Sequence, residues 1–386
     1  MMERSKCMNV PEIRFKGEQL FLKKQLKEIA TINPKNTLPD FFEYVDLESV
    51  VGTEMKKHRT EIKESAPSRA QRLANKGDIF FQTVRPYQQN NLYFDLDAKN
   101  FVFSTGYAQI RSKINSKYLF TILQQSNFLN QVLENCTGSS YPAINPSSLA
   151  NLFLTICDNE VVQQKIASYF QSLDSLIQTI SKKLASLKQI KAASLQSMFP
   201  QEGETVPKVR FKGFEGEWER CSLGSLSMIT KGEQINKLDL YTINKYYVLN
   251  GGITPSGYTN KYNTEANTIS ISEGGNSCGY VNFNNEKFWS GGHNYTLQKV
   301  KINNYYLYSF LKNNEASIMS KRVGSGLPNI QKKSLTDFLI TYPSLKEEQQ
   351  KIASYFYNLD KQISLQTQCL EKLKQIKAAC LDKMFV

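Results

Sequence analysis

The sequence predicts an α+β protein, with two mixed α/β modules separated by two long antiparallel coiled-coil helices and an internal pseudo-two-fold symmetry. Three observations predict it: the chain repeats itself, each repeat ends in a heptad stretch without Pro or Gly, and the segments between read as strand and loop. At 386 residues the chain exceeds one ordinary hydrophobic core.

The repeat comes first. VPEIRFKG at 10–17 returns 196 positions later as VPKVRFKG, and QQKIASYF at 163–170 returns 186 positions later, unchanged. In that second register LKQIKAA at 187–193 recurs, SMF at 197–199 faces KMF, and GSSYPAI at 138–144 meets GSGLPNI at 324–330. KINSKYLFTIL at 113–123 matches KINNYYLYSFL at 301–311 two residues out of that register. The second module is therefore about ten residues shorter. The ends of the modules match while the middles, roughly 30–110 and 230–298, share almost nothing. Such a pair keeps one scaffold and reads two different things, whereas plain loop divergence would need no function.

In chain order, FFEYVDLES at 41–49 and GDIFFQTVRP at 77–86 carry the aromatic and β-branched content of strands. The charged run TEMKKHRTEIKE between them reads as solvated. Ile166, Phe170, Leu173, Ile177, Ile180, Leu184 and Leu187 then alternate at spacings of four and three, which is a heptad seam. In the second module ANTISISEGG alternates as a strand, HNYTLQKVKI follows as another, and GGITPSGYTNKYNT and GGNSCG read as loops. The closing seam is Ile352, Phe356, Leu359, Ile363, Gln366, Leu370 and Leu373. Each seam predicts one long helix packed on another helix, and a two-fold relation between the modules requires the two to run antiparallel. About thirty helical residues span roughly 45 Å, enough to hold two readers about one DNA turn apart. The segmentation expected is 1–157, 158–204, 205–342 and 343–386.

The formal charge of +13 favours a polyanionic partner. No signal peptide or membrane-length apolar run is visible, so a cytoplasmic protein is expected. The seven cysteines, Cys7, Cys136, Cys157, Cys221, Cys278, Cys369 and Cys380, are scattered and suggest neither disulfides nor zinc. Catalysis finds little support. The two histidines, His58 and His293, are far apart in sequence, and no P-loop or complete GxGxxG is present. The Asn-Pro pairs at Asn33 and Asn145 lack the aromatic that adenine methyltransferases place after this dipeptide, so base flipping is expected of a partner. Asp40, Glu61 and Lys63 satisfy a loose PD…ExK nuclease spacing. A nuclease, or a stand-alone DNA- or RNA-binding regulator, is the alternative reading.

Lys, Arg, Tyr, Asn and Gln interleave in the loops, as in RPYQQNNLY and GYTNKYN. Arg matches guanine and Asn or Gln matches adenine in the major groove, while Lys and Arg neutralise phosphates. Candidate DNA contacts are Arg69, Arg85, Tyr87, Gln88, Gln89, Tyr107 and Lys113 in the first module. In the second they are Tyr258, Lys261, Tyr262, Asn276, Ser277, His293, Asn294 and Arg322.

Three stretches carry a family resemblance: VPKVRFKGFEGEWE at 206–219, APSRAQRLANKGDIFFQTVRP at 66–86 and EEQQKIASYFYNLD at 347–360. They resemble the specificity subunits of type I restriction-modification systems, and the order of domain, helix, domain, helix matches along nearly the whole chain. The first module departs from the pattern at CDNEVVQQKIA, where the second has PSLKEEQQKIA. The resemblance implies two target-recognition domains that read a bipartite, gapped double-stranded DNA site. It implies partners too: two modification (methyltransferase) subunits and motor-nuclease restriction subunits, with no membrane. S-adenosylmethionine, ATP and Mg are then expected on those partners, with no cofactor or metal in this chain and no activity of its own.

Overall fold

The computed structural model describes residues 11–15, 20–324, 326 and 328–385. Cys7, positions 10 and 16–17 of the first VPEIRFKG, and positions 325 and 327 of GSGLPNI lie outside the described residues. The chain divides into two compact units: residues up to 181 with those from 369 onward, and residues 182–368. Neither unit follows the four-segment division expected from sequence, because each takes part of both long helices.

In the first unit, strand Phe21–Gln25 pairs antiparallel with Phe153–Cys157, which delivers the chain to the long helix Glu160–Met198. A single turn, Leu26–Ile29, follows the first strand, closed by the Gln25 N–H donating to Glu28 Oε1 at 2.7 Å. One antiparallel sheet has the order Ala30–Ile32, Tyr107–Ser112, Ile79–Gln82, Leu92–Tyr93. A second has the order Arg59–Ile62, Phe41–Val45, Phe101–Ser104, Ala70–Leu73, with its middle pair parallel. The charged run is largely exposed, as expected, but Arg59–Ile62 within it is a strand, which was not expected from sequence. It is an edge strand whose exposed charges pair locally, with Arg59 bonded to Asp46 and Glu61 at 2.9 and 2.7 Å. A short hairpin, Val50–Val51 with Glu54–Met55, and helices Ser116–Ile122, Ser126–Glu134 and Pro146–Asn151 also belong to the unit.

The second unit repeats this frame. Glu219–Ser222 pairs with Leu339–Tyr342 ahead of the long helix Lys346–Lys383. The antiparallel sheet runs Met228–Lys231, Asn294–Gln298, Thr268–Ser272, Val281–Asn284, strand for strand as before. The companion sheet has three strands, Gly257–Thr259, Tyr246–Leu249 and Trp289–Ser290, again with one parallel pair.

The repeated sequence words have structural jobs. The Asn of each KIN caps a helix, Asn115 accepting from Tyr118 N and Asn303 from Tyr305 N and Tyr306 N. The Asn145-Pro146 pair is likewise a cap with proline in the first turn. The first Gln of each QQKIA is buried. Gln163 Nε2 donates to Cys157 O at 2.7 Å and its Oε1 accepts from Asn115 N at 3.2 Å. Gln349 does the same with Pro343 O at 2.8 Å and Asn303 N at 2.8 Å. Each glutamine ties helix start, preceding strand and KIN turn together, and does so in both units although the KIN-to-QQKIA spacing differs by two residues.

The long helices contain 39 and 38 residues. Within each unit their segments run antiparallel. In the first unit Tyr169 meets Cys380 at 3.4 Å and Asp174 meets Lys377 at 2.6 Å. In the second, Lys191 meets Asp360 at 2.5 Å and Ser194 meets Tyr355 at 2.8 Å. Most seam residues are buried, with Ile177, Ile363, Gln366 and Leu373 half-buried. The seam does more than pair helices. Ile166 and Phe170 join the first unit's globular core together with Met384 and Phe385, while Ile352, Phe356 and Leu359 join the second unit's core with Met198 and Phe199. The MF words thus plug cores, Phe199 stacking on Phe356 and Phe385 packing on Phe170 and Tyr118. No described helix is long and apolar enough to cross a membrane.

Candidate nucleic-acid interface

In the first unit the strand Ile79–Gln82 runs into a loop whose backbone is forced. Arg85 and Gln89 both adopt left-handed φ, 54° and 53°, around the turn Pro86–Gln88. Holding two non-glycine residues there costs about 1–3 kcal/mol each, so the surroundings must over-determine the loop. They do. Buried Gln82 donates from Nε2 to Val84 O and Gln88 Oε1, both at 2.8 Å, and accepts from Asn90 N at 3.1 Å. Asn91 Oδ1 accepts from Gln82 N at 2.8 Å. The Arg85 N–H donates to Pro142 O at 2.7 Å, and the Arg85 guanidinium lies 4.3 Å over the ring of Tyr141, which is 63% exposed. Thr83 N donates to Gly106 O and Thr105 N to Arg69 O, which sets Arg69 beside this loop. Arg69, Arg85, Tyr87, Gln88 and Gln89 therefore gather at one loop cluster, with Tyr87, Gln88, Gln89 and Arg69 exposed.

The equivalent loops of the second unit meet around Glu273. Its Oε1 accepts from Lys231 Nζ at 2.7 Å and from Tyr295 OH at 2.9 Å, its Oε2 stands 3.8 Å from His293 Nδ1, and its N–H donates to His293 O. Asn250 Oδ1 accepts from His293 N at 3.1 Å, and a Cβ at Gly291 would sit 2.5 Å from that oxygen, so only glycine fits there. Bridges Gly274–Asn329 and Val323–Asn329 bring in the segment after Arg322. Asn276, Ser277, His293 and Arg322 are thus carried on loops tied to one another. Tyr258, Lys261 and Tyr262 lie instead on and after the edge strand Gly257–Thr259 of the three-stranded sheet. There Lys287 Nζ sits 4.2 Å over the Tyr262 ring and donates to its hydroxyl at 2.9 Å, which with Glu265 raises the ammonium above the usual lysine range.

Three candidates serve the fold. Tyr107 is 1% exposed, packed edge-on against the stacked rings of Phe80 and Phe103, and burial pushes its hydroxyl well above the usual tyrosine range. Asn294 is 3% exposed and donates to Ser290 Oγ at 3.1 Å. Lys113 Nζ reaches Glu28 O at 3.4 Å and Lys27 O at 3.5 Å, capping the carbonyl end of the Leu26–Ile29 turn. Tyr107 and Asn294 lie on interior strands buried on both faces, and Lys113 meets local carbonyls, neither of which residue type reveals. Tyr141, Asn250, Lys231 and Glu273 were missed. Tyr141 stands where the second repeat has Leu327, a difference visible in the aligned words. The Lys231–Glu273 pair is 42 positions apart and had no local signal.

Among the described residues no group of three or more His, Cys, Asp or Glu is placed to hold a metal ion. Strand pairing does bring Asp40 beside Lys63, whose N–H donates to Asp40 O at 2.9 Å, but the Glu61 carboxylate is engaged by Arg59 at 2.7 Å.

The family model for the type I restriction modification DNA specificity domain matches this chain twice, over residues 20–189 and 215–375. The chain belongs to that family. A specificity-domain relative in Mycoplasma pneumoniae, named as a type I specificity subunit, is 33% identical over 183 residues, 47% of this chain and 48% of the relative. The HindI specificity subunit of Haemophilus influenzae is 31% identical over 139 residues, 34% of this chain and 30% of the relative. These matches span about half or less of the relatives' own lengths. The crystal structure of a type I system S subunit from M. genitalium superposes with a TM-score of 0.74 at 16% identity, covering 98% of this chain and 99% of that one. A structure from work on assembly and conformational transition of a type I system gives 0.52 at 22% identity, covering 95% and 97%. At these identities the structures speak to the fold alone, and they agree on it.

Proposed function

We propose that this chain is the DNA-reading subunit of a type I restriction-modification assembly. Each unit reads one half of a bipartite double-stranded site through its loop cluster, contributing recognition and no catalytic group. Two modification subunits dock along the long helices and restriction subunits join them. S-adenosylmethionine, ATP and Mg belong to those partners. The observation that carries this reading is the coincidence of the two specificity-domain matches with two units of one frame whose loop ends keep equivalent backbone bridges and carry different side chains. Arg85, stacked on an exposed tyrosine, suits guanine or phosphate, and Gln88 and Gln89 suit adenine. Methylome sequencing of the host with and without this gene tests it. Loss of one gapped, bipartite adenine-methylation motif is expected, and an unchanged methylome overturns the proposal.

A further inference from the structure

The second unit carries two aliphatic side chains that its frame leaves bare. Leu238 and Ile243 are each 86% exposed, on the segment joining strands Met228–Lys231 and Tyr246–Leu249. The corresponding segment of the first unit, residues 33–40, behaves differently, since its Leu38 packs against the cluster of Phe42, Tyr44 and Val102.

The backbone of the second unit's segment is pinned, so its tips are presented by a held loop. At its root Gly232 N donates to Asn294 O at 2.8 Å and Glu233 N to Ser290 O at 2.9 Å, while Glu233 O accepts from Trp289 Nε1 at 2.9 Å. These bonds clamp it to the 290–294 turn that presents His293. Further along, Tyr241 exchanges both backbone hydrogen bonds with Tyr258 at 2.8 and 2.9 Å. The tips are flanked by Lys245, Lys261 and the half-exposed rings of Tyr241 and Tyr262, with Asp239 the acid between them. Neither Lys245 nor Lys261 has an ion-pair partner among the described residues.

Bare aliphatic tips, ammonium groups without ion-pair partners and the half-exposed ring of Tyr241 beside a loop cluster suit a bent duplex better than an apolar protein surface. The lysines hold phosphates, the Tyr241 ring takes a base face, and Leu and Ile enter a base step that has been opened. We infer that Leu238 and Ile243 form an apolar wedge that unstacks one base step in the half-site read by the second unit, a deformation the first unit does not make. This rests on the DNA-reading proposal above.

The test uses the full chain co-assembled with its modification subunit and a duplex bearing the motif found by methylome sequencing, with 2-aminopurine replacing each adenine in turn. Apart from the methylated adenine of each half-site, which the modification subunit flips by itself, the intact complex is expected to raise 2-aminopurine fluorescence several-fold at one further step, in one half-site only. Leu238→Ser with Ile243→Ser removes that further rise and weakens binding by about tenfold, whereas Leu238→Met with Ile243→Leu keeps it. A further rise that survives the serine pair overturns the wedge, as does an intact complex that binds with no rise beyond the methylated adenines. A serine pair that keeps its fold but loses the modification subunit shows a protein contact instead and also overturns it. An intact complex that binds no duplex sinks DNA reading itself, and the wedge with it.

Discussion

The two units start their long helices alike and furnish their loop ends differently. Gln163 and Gln349 make matching pairs of hydrogen bonds to equivalent partners, down to the neighbouring Gln164 and Gln350, which accept from the capping asparagines at 2.7 and 2.8 Å. At the loop ends the first unit relies on a strained arginine stacked on tyrosine, and the second on a carboxylate shared by Lys231, Tyr295 and His293. A buried amide has few geometries that satisfy both of its ends, so it tolerates little change. Exposed loops resting on such a frame can be rebuilt freely.

The strongest way to break the comparison is to attack what the units share. Leu173→Asp combined with Leu359→Asp places an uncompensated carboxylate in each packed seam. It should cost at least about 3–5 kcal/mol, lowering thermal stability and abolishing co-purification of modification subunits. Normal assembly would show that these seams are not packed as described. Next come the glutamines. Gln163→Leu and Gln349→Leu each strand a buried N–H and a buried C=O, and each should destabilise by about 2–4 kcal/mol in urea unfolding. The equivalence of the frames demands similar losses, and a clear inequality would refute it.

The loop ends should respond separately. Arg85→Ala is expected to relax or abolish reading of one half-site at a cost of about 1–3 kcal/mol, and His293→Ala to affect only the other. Selection of bound duplexes from a randomised pool reads this directly. A loss spread over both halves would mark a residue as structural or phosphate-bound. The smallest effect is Tyr141→Ala, which leaves Arg85 charged but unstacked and should weaken the same half-site by about 0.5–1 kcal/mol in a binding titration.

Much of this was legible beforehand because repetition and heptad spacing are one-dimensional signals. The duplicated frame and the continuous helices followed from residue order, and KIN and QQKIA stood out as repeated words, but the capping by their asparagines and the locking by their glutamines became visible only in the structure. What sequence could not convey was direction. Tyr107 and Asn294 sit amid polar, strand-like text, yet both lie on interior strands covered on both faces, and Lys113 reaches two backbone carbonyls. The run at 59–62 reads as solvated and is largely exposed, and only the register with Phe41–Val45 reveals that it is a strand. The tertiary structure alone also decided that each folding unit borrows part of the distant long helix, with Met384 and Phe385 completing the first unit's core. Periodicity specifies that a stripe is apolar. Which surface it covers is settled by the closure of the core.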